Sequence, residues 1–389
     1  MEINKIAIVG VSGFVGSRLF ELLHTKGTVD IVPIIHSAGN AGRIARFGVS
    51  LKQVDLLSPV QIRDALEGCT HVVNCSRGDD VVMTLGLKNL LSESRRAGIS
   101  RFVHLSSVAV YGDPPPPESK TEDAPTNPDK NSYGWLKLKQ DYLVQKAAKE
   151  GLPCITLCPP NIIGPYSIYL LDILGALKMG RFALIERGRT VCNTVDVTNL
   201  CHAIQQSLSM GSVDGSRVFV TDGEKVLWRD VVDQLKPLFT TMPDVHNITR
   251  ADLEQSKRKK NVSVWATAKH IVSSDVREAL RKDPLLEKSD KFLRGVVAKL
   301  GPRLEDSLRL SIEGSAPIPE TANRTSYEVR LCRQQLRGVY HSCHKAEREL
   351  GYKPVVGFNQ SMAAFCEWYQ DLHGWKTKFG DLIRIADNF

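Results

Sequence analysis

Tyr133 and Lys137 stand four residues apart in the stretch Asn131-Ser132-Tyr133-Gly134-Trp135-Leu136-Lys137. On a helix this spacing puts a phenol and an ammonium on one face. A free tyrosine keeps its proton to about pH 10 and is a poor base at neutrality. A neighbouring positive charge favours the phenolate and lowers that value. The pair therefore suits proton exchange with an alcohol oxygen, provided that a hydride acceptor lies alongside. Ser106-Ser107 closes an earlier apolar run, and a serine hydroxyl there is suited to hydrogen-bond the reacting oxygen and hold it near Tyr133.

A place for the hydride acceptor lies near the start of the chain. Gly10-Val11-Ser12-Gly13-Phe14-Val15-Gly16 follows the apolar run Lys5-Ile6-Ala7-Ile8-Val9 and opens an amphipathic segment. Glycines permit a tight turn and close approach of backbone to a pyrophosphate, and the helix N-terminus adds free N–H groups and the positive end of its dipole. Between a strand and a helix, such a trio points to a bound dinucleotide. A carboxylate at the end of the second strand would bind the adenosine ribose of NAD. Here the chain reads His36-Ser37 with Arg43 beyond, residues that suit a ribose 2′-phosphate, so the cofactor is read as NADP or NAD with a lean to NADP. Asp55-Leu56 is placed for the adenine edge, and Asn74-Cys75-Ser76 for the lining of the cofactor channel.

These residues need a scaffold, and the first part of the chain supplies one. Strand-like runs at residues 6–9, 31–35, 51–54, 71–74, 101–105 and 154–157 alternate with helical patterns at 15–26, 59–67, 81–97 and 132–150. Such alternation predicts an α/β fold, a Rossmann-type doubly wound parallel sheet covered by helices, with a smaller mixed C-terminal substrate lobe. Residues 1–160 and about 190–222 are assigned to the NAD(P)-binding domain. Residues 161–189 and about 223–389 are assigned to the lobe, with a charged helical insertion at about 245–325. A solvated insertion is the simpler reading of that segment, and contact with a membrane surface or partner is the alternative.

Together these motifs resemble the extended short-chain dehydrogenase/reductase family, which includes sugar-nucleotide epimerases and dehydratases. The resemblance rests on the glycine loop, Asp55-Leu56, the run from Ser106 to Gly112, Tyr133-x-x-x-Lys137, Pro159-Pro160-Asn161-Ile162-Ile163-Gly164-Pro165 and the segment from Lys345 to Pro354. It covers roughly residues 1–235 and 340–375. It implies that Tyr133 is the acid/base, that Lys137 holds the nicotinamide ribose, and that Ser107 polarises the substrate oxygen. It also implies cofactor contacts from Pro159 and Pro160 and substrate contacts from Val108 and Asn161. Dehydratases of the family follow the active-site Ser/Thr with an Asp-Glu pair, whereas this chain has Val108-Ala109. Dehydration is therefore not expected. Cys158 and Cys192 occupy positions where members carry arginines, the second of which clamps a substrate diphosphate. Arg181, Arg187 or Arg189 could compensate, with Arg189 the one assigned to the substrate. Relatives often pair through a helical bundle that would include residues 132–150, which implies a homodimer.

The bulk properties agree with an enzyme of small molecules. With 24% charged residues and 42% hydrophobic ones across 389 positions, the chain can bury a large core and gives no sign of disorder. A net charge of +8 suits an anionic ligand or an ordinary surface, and no pattern points to nucleic acid. The nine cysteines are scattered without disulfide or metal spacing, and Cys332, His341, Cys343 and His344 match no metal site. No signal peptide or membrane span is expected, which places the protein in the cytoplasm. Epimerisation of a sugar nucleotide through a transient ketone is narrowly preferred. The alternatives are a ketoreductase or dehydrogenase of a sugar or non-sugar substrate, and, from another class, a non-catalytic NAD(P)-sensing or scaffold protein.

Overall fold

The computed structural model describes residues 3–38, 41–241, 243–258 and 327–373. The chain divides into two units, Met1–Ile248 with Tyr327–Phe389 and Thr249–Ser326. Of the second unit the described part is one helix, α9 (Arg250–Arg258), and its N-terminal turn. There Thr249 and Asp252 cap each other, the Thr249 amide reaching Asp252 at 2.8 Å and the Asp252 amide reaching Thr249 Oγ1 at 3.2 Å. Residues 259–325 of the expected charged insertion lie outside the described residues.

The first unit is built on a seven-stranded sheet of β1 (Lys5–Val9), β2 (Asp30–Ile35), β3 (Lys52–Gln53), β4 (His71–Asn74), β5 (Arg101–Leu105), β6 (Cys154–Cys158) and β10 (Asp214–Phe219). Its order is β10-β6-β5-β4-β1-β2-β3, and every neighbouring pair is parallel. Residue types explain the position of each strand. The central strands β4, β5 and β6 are buried along their whole length because both faces are covered, although His71, Asn74, Arg101, His104 and Thr156 stand among their apolar residues, and side chains alternate between two cores. Ile6 and Ile8 face one core, and Ala7 and Val9 the other. Over the first face lie α1 (Phe14–Lys26) and α7 (Val197–Ser207), which contribute Leu19, Phe20, Leu200 and Ile204. Over the second lie α3 (Pro59–Ala65), α4 (Leu87–Arg96) and α5 (Tyr133–Lys149), through Ile62, Leu90, Leu91 and Val144. A short α2 (Gly42–Ala45) follows β2. β3 is only two residues long, and β10 forms the far edge, where the sequence pattern had marked no strand.

The smaller lobe has its own core. Two parallel strand pairs frame it: β7 (Asn161–Ile163) with β9 (Thr194–Asp196), and β8 (Ala183–Ile185) with β11 (His246–Ile248). Beneath them pack α6 (Ile168–Lys178), α8 (Trp228–Leu235), α10 (Val329–Gln335) and α12 (Phe358–His373), with Trp228, Phe182 and Phe365 fully buried. A last helix, α11 (His344–Leu350), returns to the main sheet beside α7 and β10.

Asp222, just past β10, ties the lobe to the sheet. Its carboxylate accepts from the Asp196 amide at 2.8 Å, Asn199 Nδ2 at 2.7 Å and Thr194 Oγ1 at 3.2 Å. Burial pushes this carboxyl up to about 6, against the pull of those donors. Because β9 holds β7, the same tie fixes Asn161. Asp222→Ala removes the acceptor of the Asp196 amide and the Thr194 hydroxyl and one of the two acceptors of Asn199 Nδ2, and is expected to cost about 3 kcal/mol of stability, read as a lowered urea midpoint with an unchanged slope.

Candidate active site

The crevice opens between β1 and β4, where the strand order reverses. Gly10 leaves β1 with φ +79°, and a Cβ there would stand 2.8 Å from both the Cα and the amide nitrogen of Ser76. A Cβ at Gly16 would meet the Gly10 carbonyl and come within 2.9 Å of Val11 Cα. The loop is thus packed backbone against backbone, as a pyrophosphate cradle requires. Gly13 caps α1 and offers no side-chain acceptor to the amides of the first turn, which opens at Phe14 and Val15. Ser12 is half-buried beside them. These residues fit the phosphates of a dinucleotide.

The other expected cofactor residues fall around this loop. Asn74 is buried at the end of β4, where its Oδ1 accepts from the Ser76 amide at 3.1 Å and hydroxyl at 2.6 Å. Cys75 lies between them, its thiol pushed up to about 12 by burial. His36 is exposed and Ser37 half-buried after β2. Arg43 reaches Glu21 at 3.1 Å, and its guanidinium lies 3.8 Å over the Tyr166 ring. Asp55 turns inward on its own loop, accepting the Leu57 amide at 2.9 Å, while Leu56 is buried.

Ser107, Tyr133 and Lys137 meet beyond the carboxyl end of β5. Ser132 caps α5 by accepting the Trp135 amide at 3.1 Å, which sets Tyr133 at the first helical position. Lys137, one turn on, is only 5% exposed and donates to the Leu105 carbonyl at 2.9 Å. Ser107 begins the next turn by accepting the Ala109 amide at 3.2 Å. Val108 N donates to the Pro159 carbonyl at 3.2 Å, bringing the loop after β6 alongside. Burial depresses the Lys137 ammonium to about 8, partly offset by Asp141. Asp141 is fully buried on the same helix and accepts from Arg217 Nε at 2.6 Å.

The phenol behaves differently from the sequence expectation. Tyr133 keeps 44% of its surface exposed, yet the protein packed around its hydroxyl holds it above its ordinary value. Arg77 is the strongest opposing influence, and the Ser107 hydroxyl acts in the same direction. The ammonium lies 5.9 Å from the ring centroid, while the Arg77 guanidinium carbon lies 5.3 Å from it. Arg77 belongs to no motif, and nothing in the sequence marked it.

Among the residues expected to contact substrate, Asn161 Nδ2 donates to the Asn193 carbonyl at 3.0 Å and approaches Cys192 Sγ at 3.9 Å. Cys192 is buried and lies 3.2 Å from the Tyr169 hydroxyl. Of the arginines expected to compensate, Arg181 is paired with Glu328 at 2.7 Å, and Arg187 and Arg189 are exposed. Another arginine approaches instead: the charge of Arg337 acts on both Cys192 and Tyr169. Arg337 grips Asp113 with two bonds, of 2.9 and 2.8 Å. Two further ties join the same segments, His341 Nδ1 donating to the Ser119 carbonyl at 2.7 Å and the Ser342 amide to the Lys120 carbonyl at 2.9 Å. Of the loose cluster of Cys332, His341, Cys343 and His344, His341 makes this long-range tie and Cys343 lies 3.3 Å from Glu347 Oε1. No described helix is long and apolar enough to cross a membrane.

This architecture is that of an NAD(P)-binding short-chain dehydrogenase/reductase enzyme. The profile of the NAD dependent epimerase/dehydratase family matches residues 6–207, and the chain belongs to that family. It is 25% identical over 253 residues to a 4-hydroxy-2-methyl-3-oxo-4-farnesyl-3,4-dihydroquinoline-1-oxide ketoreductase of Stigmatella aurantiaca, covering 62% of this chain and 75% of that protein. It is also 25% identical over 241 residues to the decarboxylating sterol-4-alpha-carboxylate 3-dehydrogenase of Mus musculus, covering 57% of this chain and 65% of that one. Among solved structures, UDP-glucuronic acid 4-epimerase of Bacillus cereus in complex with NAD superposes with a TM-score of 0.64 at 14% identity, over 95% of this chain and 99% of that chain.

Gly16→Val forces a branched side chain into the Gly10 carbonyl. It is expected to weaken binding of reduced nicotinamide dinucleotide at least about tenfold, measured by calorimetric titration of the folded variant.

Proposed function

We propose that the protein is an NAD(P)-dependent oxidoreductase that interconverts a secondary alcohol and a ketone on a small-molecule substrate. The reading is carried by the convergence of Ser107, Tyr133 and Lys137 at one end of β5, next to a loop suited to a dinucleotide. A bound nicotinamide supplies the hydride acceptor in one direction and the donor in the other. Tyr133 takes the hydroxyl proton during oxidation and returns it to the carbonyl oxygen during reduction. Ser107 hydrogen-bonds that oxygen, and Lys137, anchored on the Leu105 carbonyl, keeps an ammonium one turn from the phenol.

Net oxidation or reduction is placed ahead of the epimerisation that the sequence narrowly preferred. Cys192 fills the clamp position and is engaged by Tyr169. The ketoreductase and the sterol dehydrogenase among its relatives support the same order. Epimerisation of a nucleotide sugar is the second reading, favoured by the Arg337 charge beside Cys192. The cofactor is read as NADP ahead of NAD, since His36 and Ser37 follow β2 in place of a carboxylate and Arg43 lies nearby.

Tyr133→Phe is expected to lower kcat by about a thousandfold while cofactor affinity stays within about threefold of the parent. Turnover can be followed by nicotinamide absorbance with a panel of cyclic and isoprenoid ketones. Retained activity would remove Tyr133 from the mechanism. Titrating the same variant with both cofactors reports the choice between them, and tighter NAD would reverse the NADP reading. The pH profile follows from Lys137. Its ammonium is charged below about 8 and neutral above it, so ketone reduction should decline as pH rises through that value.

A further inference from the structure

Arg77 lies three residues past β4, in the loop Asn74-Cys75-Ser76-Arg77, with its guanidinium over the ring of Tyr133 on α5. It is exposed, and among the described residues no carboxylate pairs with it. The nearest acidic residue in sequence, Asp79, accepts the Val82 amide at 2.8 Å. Lys137, by contrast, is buried and tied to the Leu105 carbonyl. Two cations therefore lie close to the Tyr133 ring, one buried and hydrogen-bonded to the sheet and one exposed, and the exposed one is nearer the ring centroid, at 5.3 Å against 5.9 Å.

We infer that Arg77 is a positioning residue that sets the ionisation of Tyr133, a task that the Tyr-x-x-x-Lys spacing assigns to Lys137 alone. This inference rests on the acid/base reading of Tyr133 given above. The groups that face the phenol come from four elements. Ser107 beyond β5 and Arg77 beyond β4 favour the phenolate, while Cys158 at the end of β6 and Asp141 on α5 oppose it. Lys137 faces it from α5 as well. A guanidinium stays charged throughout the working range, whereas a buried ammonium does not. Arg77 therefore keeps its hold on the phenol at pH values where Lys137 has lost its proton.

The test is a titration that needs no turnover. The protein is labelled with 3,5-difluorotyrosine, which brings phenol ionisation toward neutrality, and is followed by 19F NMR. The Tyr133 resonance is the one missing from Tyr133→Phe. Arg77→Gln should raise its midpoint by about one pH unit, the size expected for an opposite charge within about 6 Å. Arg77→Lys should restore most of the shift. An unchanged midpoint in Arg77→Gln would overturn the inference. In unlabelled protein the alkaline-rising limb of alcohol oxidation should move with the same sign. A shifted resonance with an unmoved limb would uphold the Arg77 assignment and overturn the acid/base role of Tyr133.

Discussion

A single buried ammonium organises the end of the sheet where Ser107 and Tyr133 stand. Removing a lysine charge from water is costly unless partners replace the lost solvation. Lys137 receives the Leu105 carbonyl as a direct acceptor and the field of Asp141 from one helical turn away. Asp141 is held in turn by Arg217 on the edge strand β10. The requirement to keep one cation dry thus reaches from β5 through α5 to the far side of the sheet. The depressed value of the ammonium is the remaining cost of that burial, and it places the loss of charge close to neutrality.

The sheet was largely legible in the chain because parallel strands are buried on both faces and are built around Val, Ile, Leu and Phe. The runs at β1, β4, β5 and β6 carry that signature. β10 does not: Asp214-Gly215-Ser216-Arg217 opens it with residues that suit an exposed edge, so composition alone hid it. The candidate site was legible where the arrangement depends on local spacing, as in Tyr133 one helical turn from Lys137 and in the glycine loop. It was not legible where partners meet only through the fold. Arg77 is separated from Tyr133 by more than fifty positions, and Arg337 from Cys192 by more than a hundred. Neither pairing has a period or a motif that a linear pattern could register.

The flank proposed for the substrate centres on Cys192. There a small, buried thiol stands where the family resemblance implies an arginine, with the Tyr169 hydroxyl at 3.2 Å and Asn161 Nδ2 at 3.9 Å. Positive charge enters from Arg337, in the segment between α10 and α11. Because that arginine also holds Asp113, the charge facing this part of the lobe is already partly neutralised. A ligand that relies on strong anionic attraction gains less here than it would at a free arginine.

The three ties between residues 113–120 and 337–342 have a broader consequence for selectivity. A wall fastened at several points needs little ordering when a guest arrives, so more of the contact energy is available for binding. The same fastening limits how far that wall can remould itself around a poorly shaped molecule. Discrimination on this flank should therefore depend on steric outline more than on induced adjustment.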